Sequence, residues 1–306
     1  MTQSIHDFHD DPRNAAIRIW INGVLRPRAE ATVSVFDSGF VLGDGVWEGL
    51  RVVRGHPVFL DEHLDRLYEG AKAIALDIGL DRATLTRALY DTLAANDMHD
   101  GVHLRVMITR GEKSAPNQDP RNALGRPTIA IVSEYKQPSP AIVTTGLSLA
   151  QSSIRCSPAE MFDMRLNSHS RLNLIRALLE AIALGADEAL MLDPHGFVSS
   201  CNATNFFFVS DGVVRTSRGD YCFHGVTRAN VIDLCTRHSI PLELGDFTPE
   251  DVARADEAFV TGTFGGLTPV RAIDGRTLPR ALPGPVTTLL RAHYEALKDA
   301  YAAGTS

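Results

Sequence analysis

The hexapeptide YKQPSP at 135–140 places two prolines directly after a strand-like run. Proline fixes φ and carries no N–H, so neither a strand ladder nor a helix continues through it. On both sides of this break, strand and helix patterns alternate irregularly, and no repeat unit recurs. The chain therefore reads as an α+β protein in two parts. The first is an N-terminal α+β domain over 1–134, the second a C-terminal α+β domain over 142–306, joined by a linker at 135–141. A length of 306 residues with 44% hydrophobic content is enough to fill two cores.

In the first half, IRIWINGVL (17–25) alternates around an Asn-Gly pair and reads as a hairpin. The stretch 31–60 reads as strands punctuated by glycines, with a turn near Gly55. DEHLDRLYEGAKAIAL (61–76) is a helix, because Leu64, Leu67, Ala71 and Ile74 recur at intervals of three and four. Asp61 is the expected N-cap, and Glu62 adds charge to the first turn. A helix at 82–96 and strands at 101–112 and 127–135 follow. In the second half, strands are expected over 142–155. DMRLNSHSRLNLIRALLEAIALGADEALML (163–192) reads as a short strand, a polar turn, a long helix and a second strand. A hairpin with an Asp-Gly turn covers 197–216, helices 227–238 and 249–254, a strand 257–261, and a final helix 283–301.

The formal charge of −7 and the absence of a basic stripe argue against nucleic acid as a partner. No apolar run approaches the ~18 residues that span a bilayer. The start, MTQSIHDFHDDP, is polar and acidic, unlike a secretory signal. Cys156, Cys201, Cys222 and Cys235 form no CxxC pair, so a reducing cytoplasm is the expected setting. His6, His9, Asp10 and Asp11 make a metal cluster on paper, but a solvated tail is the expected state so near a chain end. Histidine never occurs as HxH or HExxH, so no metal site is expected. No phosphate-binding loop and no nucleophile elbow occurs, and GDG (43–45) is too short for a dinucleotide fingerprint. The chain holds only four lysines, Lys72, Lys113, Lys136 and Lys298.

Six stretches, in order, are VFDSGFVLGDGVWEGLRVVRG, FLDEHLDRL, RALLEAIALGADEALMLDPHGFV, NFFFV, GVTRANVIDL and TGTFGGLTPVRAIDG. Together they resemble the class IV aminotransferases, pyridoxal-phosphate enzymes of fold-type IV, near the branched-chain, D-amino-acid and R-selective amine transaminases. The resemblance implies a two-domain α+β fold-type IV architecture, a small-molecule substrate and a homodimer. It assigns Arg66 to the cofactor phosphate, and a guanidinium fork suits that role. It adds the backbone N–H groups of Val226 and Thr227 at a helix start, where orphan amides and the dipole attract an anion. Thr263, with Phe264 beside it, is a further cofactor contact.

At the chemical centre the chain departs from the pattern. The family's lysine, which forms a Schiff base with the cofactor aldehyde and shuttles a proton, falls at Asn167, or at Leu166 in a register one residue off. No lysine lies between 137 and 297. The glutamate that holds the pyridine nitrogen protonated falls at Ser200, whose hydroxyl supplies no countercharge. Leu42 stands where the family carries a hydrogen-bonding residue. If the strand at 163 is extended, Asp163, Arg165, Asn167 and His169 share a face. His169 is then a candidate general base near neutral pH, and Arg165 or Arg171 a candidate carboxylate holder. Asn167, Ser168 or Ser170 equally suit a helix N-cap, Lys136 is a candidate substitute lysine, and Arg105 and Arg110 suit either substrate or surface.

Three readings follow. One is a diverged enzyme that binds pyridoxal phosphate noncovalently, or another phosphate-bearing ligand, and acts on an amino or carboxylic acid. The second is a functioning aminotransferase or lyase with a substitute base. The third is a noncatalytic binding protein.

Overall fold

Asn22 and Gly23 both take positive φ and close the first hairpin, joining β1 (Arg18–Ile21) to β2 (Val24–Pro27). Asn-Gly adopts this turn at the least steric cost. The hairpin belongs to a computed structural model that describes residues 11–304. His6, His9 and Asp10 lie outside the described residues, while Asp11 pairs with Arg13. The described chain divides into two compact units. One runs to Gln137 and includes Asn167–Arg171 and the residues from Lys298 onward; the other comprises Pro138–Leu166 and Leu172–Leu297.

The N-terminal unit continues with α1 (Ser38–Leu42), β3 (Gly45–Val53), β4 (His56–Pro57), α2 (Leu60–Ala73), α3 (Arg82–Ala95), β5 (Val102–Thr109) and β6 (Thr128–Tyr135). Its strands form one antiparallel sheet in the order β2-β1-β6-β5-β3-β4. β5 shows why the sheet is one-sided. Val102, Leu104, Val106 and Ile108 are fully buried, while His103, Arg105, Met107 and Thr109 on the other face are half-buried. The buried side joins Leu64, Leu67 and Ala71 of α2 and Leu85 and Leu89 of α3 in one core.

Two expectations change here. Where strands were expected near 40, α1 forms, because the Asp37 carboxylate accepts the Gly39 N–H at 2.8 Å and Gly43 ends the turn at φ 69°. α2 starts at Leu60 rather than after an Asp61 cap. Phe59 takes the N-cap position, and the Asp61 carboxylate is drawn instead to Arg82, at 2.9 Å.

The C-terminal unit runs through α4 (Ile142–Thr145), β7 (Leu147–Gln151), α5 (Ala159–Phe162), α6 (Leu172–Ala183), β8 (Glu188–Leu192), β9 (Val198–Cys201), β10 (Asn205–Ser210), β11 (Val213–Ser217), α7 (Val226–Arg237), β12 (Leu242–Gly245), α8 (Pro249–Val252), β13 (Glu257–Gly262), β14 (Gly266–Ile273) and β15 (Arg276–Thr277). The last helix, α9, covers Pro285–Ala302. The sheet order is β12-β11-β10-β13-β14-β7-β8-β9, with β15 on β14. Phe206, Phe208, Val260 and Val270 anchor its core, and Phe207 stacks on Phe259 with ring centroids 5.0 Å apart. The strand expected at 163 is absent. Leu166 N–H bonds back to the Asp163 carbonyl at 3.2 Å, and Arg165 folds onto the Asp163 carboxylate, so 163–166 is a turn. A helix likewise replaces the start of the strand expected at 142–155.

Glu257 is buried and its carboxylate takes the first amides of α9, Val286 N at 3.1 Å and Thr287 N at 2.9 Å. Gly284 leaves the room for this cap: a Cβ there would lie 2.1 Å from the Glu257 carboxyl carbon. We expect Gly284→Ala to lower stability by about 1–3 kcal/mol through overpacking and cap loss. Urea unfolding checks this, and an unchanged midpoint would contradict the role of Glu257.

Candidate active site

β3 is paired with β5 along its length but with β4 only at Val52–Val53. Its remaining edge is taken by three residues from more than a hundred positions further on. Trp47 N–H donates to the Asn167 carbonyl at 2.9 Å, His169 N–H donates to the Gly45 carbonyl at 3.0 Å, and Val46 bridges Ser168 in antiparallel sense. The polar turn of the sequence is thus tied to β3 by an isolated antiparallel bridge. Neither Asn167 nor Ser168 caps α6, which begins at Leu172.

Asn167 is held on both ends of its amide. Its Nδ2 donates to the Trp47 carbonyl at 2.6 Å and reaches Glu48 Oε1 at 3.4 Å, while Oδ1 accepts from the Arg171 guanidinium. Arg171 Nε also donates to the Ser168 carbonyl at 3.0 Å, as does the Trp47 indole N–H at 3.1 Å. Ser170 Oγ closes the segment onto the Gly43 carbonyl.

Beneath it lies Glu48, 0% exposed. Arg66 holds this carboxylate through Nε and Nη2, each at 2.7 Å, and His63 Nδ1 lies 2.7 Å from Oε2. Burial on its own would raise the carboxyl pKa. The charges and hydrogen bonds of Arg66 and His63 outweigh it and bring the group to about 2. Glu48 was not singled out in the sequence; a carboxylate inside a largely apolar strand, with arginine and histidine on a neighbouring helix, was the available signal.

His169 does not titrate near neutrality as expected. Burial, then the nearby Arg105 and Arg171 charges, push it down to about 4 against the weaker pull of Asp37. Its Nε2 is buried without a hydrogen-bond partner. Arg171 is lowered to about 10, by burial first and then by Arg105 and Arg66, with Glu48 opposing. Arg110 is engaged with the Asp44 carboxylate and the Ile74 and Ala75 carbonyls, a structural tie. Lys113 is buried on the Asp119 carbonyl, and Lys136 is half-buried. Leu42 is exposed at the end of α1. Asp163 and Arg165 pair with each other within the turn at 163–166, so the extended strand on which the shared face was premised does not form.

In the C-terminal unit, α7 opens at Val226 with Gly225 as N-cap and no side chain capping its amides. Asn205 Nδ2 fixes the preceding turn through the Phe223 carbonyl at 2.7 Å, and a Cβ on Gly225 would lie 2.3 Å from Asn205 Oδ1. Thr227 Oγ1 is 3.3 Å from the Tyr294 hydroxyl. Thr263 is half-buried in the turn between β13 and β14, next to Thr261, whose buried Oγ1 has no hydrogen-bond partner. The Phe264 side chain packs in the core of the C-terminal sheet. Ser200 donates its hydroxyl proton to the Thr204 carbonyl at 2.8 Å.

The family model described as amino-transferase class IV matches residues 45–273. The chain belongs to the class IV aminotransferase family. The branched-chain-amino-acid aminotransferase of Pseudomonas aeruginosa is 31% identical, over 90% of this chain and 91% of that protein. Branched-chain-amino-acid aminotransferase-like protein 1 of Arabidopsis thaliana is 38% identical over 94% of this chain and 52% of that protein, so the chain spans about half the length of this relative. The solved structure of the branched-chain aminotransferase from the thermophilic archaeon Thermoproteus uzoniensis, with norvaline, is 30% identical. It superposes with a TM-score of 0.82, covering 95% of this chain and 96% of that one. The architecture of this family member is accordingly α+β and of fold-type IV.

In the C-terminal unit, the residues at the start of α7 suit a phosphate group. The uncapped first turn of α7 and the orphaned Thr261 hydroxyl are donors available to an anion. Within the N-terminal unit, an asparagine amide stands where the resemblance puts the amine, with both its polar atoms already bonded.

Proposed function

We propose that this class IV aminotransferase is a diverged enzyme that binds pyridoxal phosphate, or another phosphate-bearing ligand, without a covalent bond and acts on an amino or carboxylic acid. The observation that carries this reading is the fixed Asn167 amide, which cannot attack an aldehyde as an amine does and carries no proton to exchange near neutral pH. Val226, Thr227 and Thr263 are assigned to a phosphate group, as is Arg66 by the resemblance. Ser200 is assigned to the pyridine nitrogen, where it offers a hydroxyl oxygen and no charge. Pyridoxal phosphate, when bound, supplies an electron sink for a substrate carbanion; the residues of this chain orient it and weaken that sink. His169, depressed to about 4, is neutral at pH 7 and a weak base. We further propose that the protein is cytoplasmic and a homodimer, which light scattering on a sizing column tests.

The deciding experiment adds pyridoxal phosphate, reduces with borohydride before and after dialysis, and maps the peptides by mass. Visible absorbance should appear on mixing and disappear on dialysis, with none of the four lysines stoichiometrically modified. A single lysine carrying the reduced cofactor after dialysis overturns the reading.

A further inference from the structure

A cavity of about 270 Å³ opens in the N-terminal unit, where the end of α9 meets the start of α2. His56 of β4, Leu60 and Asp61 of α2, Tyr90 of α3, Tyr301 of α9 and Gly304 just beyond it all line this space. None of them belongs to the site around Asn167. The rings there meet edge to face, His56 and Tyr90 with centroids 6.4 Å apart and Tyr301 with the buried Phe59 at 5.1 Å. Phe59 holds a left-handed φ of 56°, a conformation that costs a bulky residue free energy, at the point where the chain turns into α2. The Asp61 N–H in that first turn faces the Tyr301 hydroxyl at 3.5 Å. His56 and Tyr90 are exposed, so the cavity is open to solutes.

We propose that this cavity is a binding site for a small arylalkyl ammonium ion, held by Tyr90, Tyr301, Asp61 and the carboxyl end of α9. The sign of the ligand follows from the charges. The lining contains one carboxylate and, among the described residues, no lysine or arginine. Arg82 pairs with Asp61 but is shared with Asp65, so one cation serves two carboxylates. The positive end of α2 is already met by Asp61 and Glu62 in its first turn. The negative end of α9, a helix of 18 residues, has no basic side chain in its last turn. Asp299 in that turn is balanced by Arg54 at 2.9 Å. Burial, joined by the charges of Glu62 and Asp61, holds the Tyr301 phenol above its ordinary value, and burial does the same for Tyr90. Both rings therefore stay neutral at pH 7. An ammonium group among them gains cation–π attraction, the pull of the helix end and a charge-assisted hydrogen bond to Asp61. The volume equals that of about nine water molecules at ~30 Å³ each, the bulk of a primary amine with one aromatic ring. That ring displaces water from Leu60 and the tyrosines.

The test uses the full chain labelled with fluorotyrosine and read by fluorine NMR. The chain holds six tyrosines, and Tyr90→Phe and Tyr301→Phe assign the two signals of interest. Phenethylammonium should shift both saturably, with a Kd on the order of 1 mM. Neutral phenethyl alcohol and anionic hydrocinnamate, of similar shape, should bind at least about tenfold more weakly, the loss of a charge-assisted contact. Added salt should weaken the ammonium ion, because Asp61 is exposed. Asp61→Asn should weaken it severalfold and leave the alcohol unchanged. If phenethylammonium moves none of the six signals, the site is overturned whether or not a variant folds. Shifts confined to tyrosines other than Tyr90 and Tyr301 overturn it too, since the amine then binds elsewhere. Equal binding of the alcohol would reduce the cavity to an apolar patch, and tighter binding of hydrocinnamate would make it an anion site; either result overturns the proposal. None of these outcomes bears on whether a lysine carries the cofactor, which the borohydride experiment decides.

Discussion

Glu48→Gln should lower the unfolding free energy by about 3–5 kcal/mol, the range for removing one partner from a buried charge pair. The reason is what is left behind. Arg66 donates two hydrogen bonds to this carboxylate and His63 approaches it at 2.7 Å, all beneath a fully buried strand position. A neutral amide keeps the shape but turns one acceptor into a donor facing Arg66, and leaves that guanidinium without its counterion. The pH dependence separates this account from a simple packing defect. The folded carboxyl sits at about 2 against an ordinary 4.5. A group whose folded pKa is depressed stabilises the fold above its unfolded pKa, and that contribution is lost as pH falls from 4.5 towards 2. The gap between wild type and Glu48→Gln should therefore be full at pH 7 and shrink steadily below pH 4.5. A gap that stays constant from pH 7 to pH 3 in urea titrations would falsify the charge-pair explanation. His169 adds to the acid sensitivity of the wild type. Its folded form resists protonation down to about 4, so stability is also lost as pH falls from 6.5 towards that value.

Glu188→Gln should act in the opposite direction. Glu188 opens β8 wholly within the C-terminal unit and is buried, with the Thr204 hydroxyl donating to Oε2 at 2.7 Å. Burial, reinforced by neighbouring Asp187 and only partly offset by Thr204, raises it to about 7. For an acid with a raised folded pKa, the unfolded chain releases its proton first, so stability falls as pH rises from 4.5 through 7. Glutamine has nothing to release. The variant should match the wild type near pH 4 and exceed it at pH 8 by up to about 3 kcal/mol, the free energy of a pKa displacement of this size. Thermal or urea melts at the two pH values measure this. A variant that is equally or less stable at both would show that Glu188 keeps its charge in the fold, held by something other than Thr204.

Local patterns explain why so much of the secondary structure was legible. Leu64, Leu67 and Ala71 announce α2, the alternation through Val102 to Ile108 announces β5, and Asn22-Gly23 and Asp211-Gly212 announce their turns, because each signal lies within a few residues of what it specifies. The misreadings near 40 and 163 arose where a side chain closes a local turn. Asp37 caps α1, and Arg165 folds onto Asp163, so short polar stretches that resemble strands curl instead. The Phe264 side chain belongs to the core, and position in a motif does not say which way a residue faces.

The order of the six motifs is a property of the chain as written, and with it the membership in a pyridoxal-phosphate family and the expectation that Asn167 and Ser200 take the places of a lysine and a glutamate. Only the folded protein decided what surrounds Asn167. Its partners Trp47, Glu48 and Arg171 meet through a strand pairing that spans some 120 positions, and the depressed His169 exists only because that pairing buries it beside two arginines. Hydrogen bonding between distant segments and the electrostatics of burial depend on three-dimensional proximity, which no local residue pattern encodes.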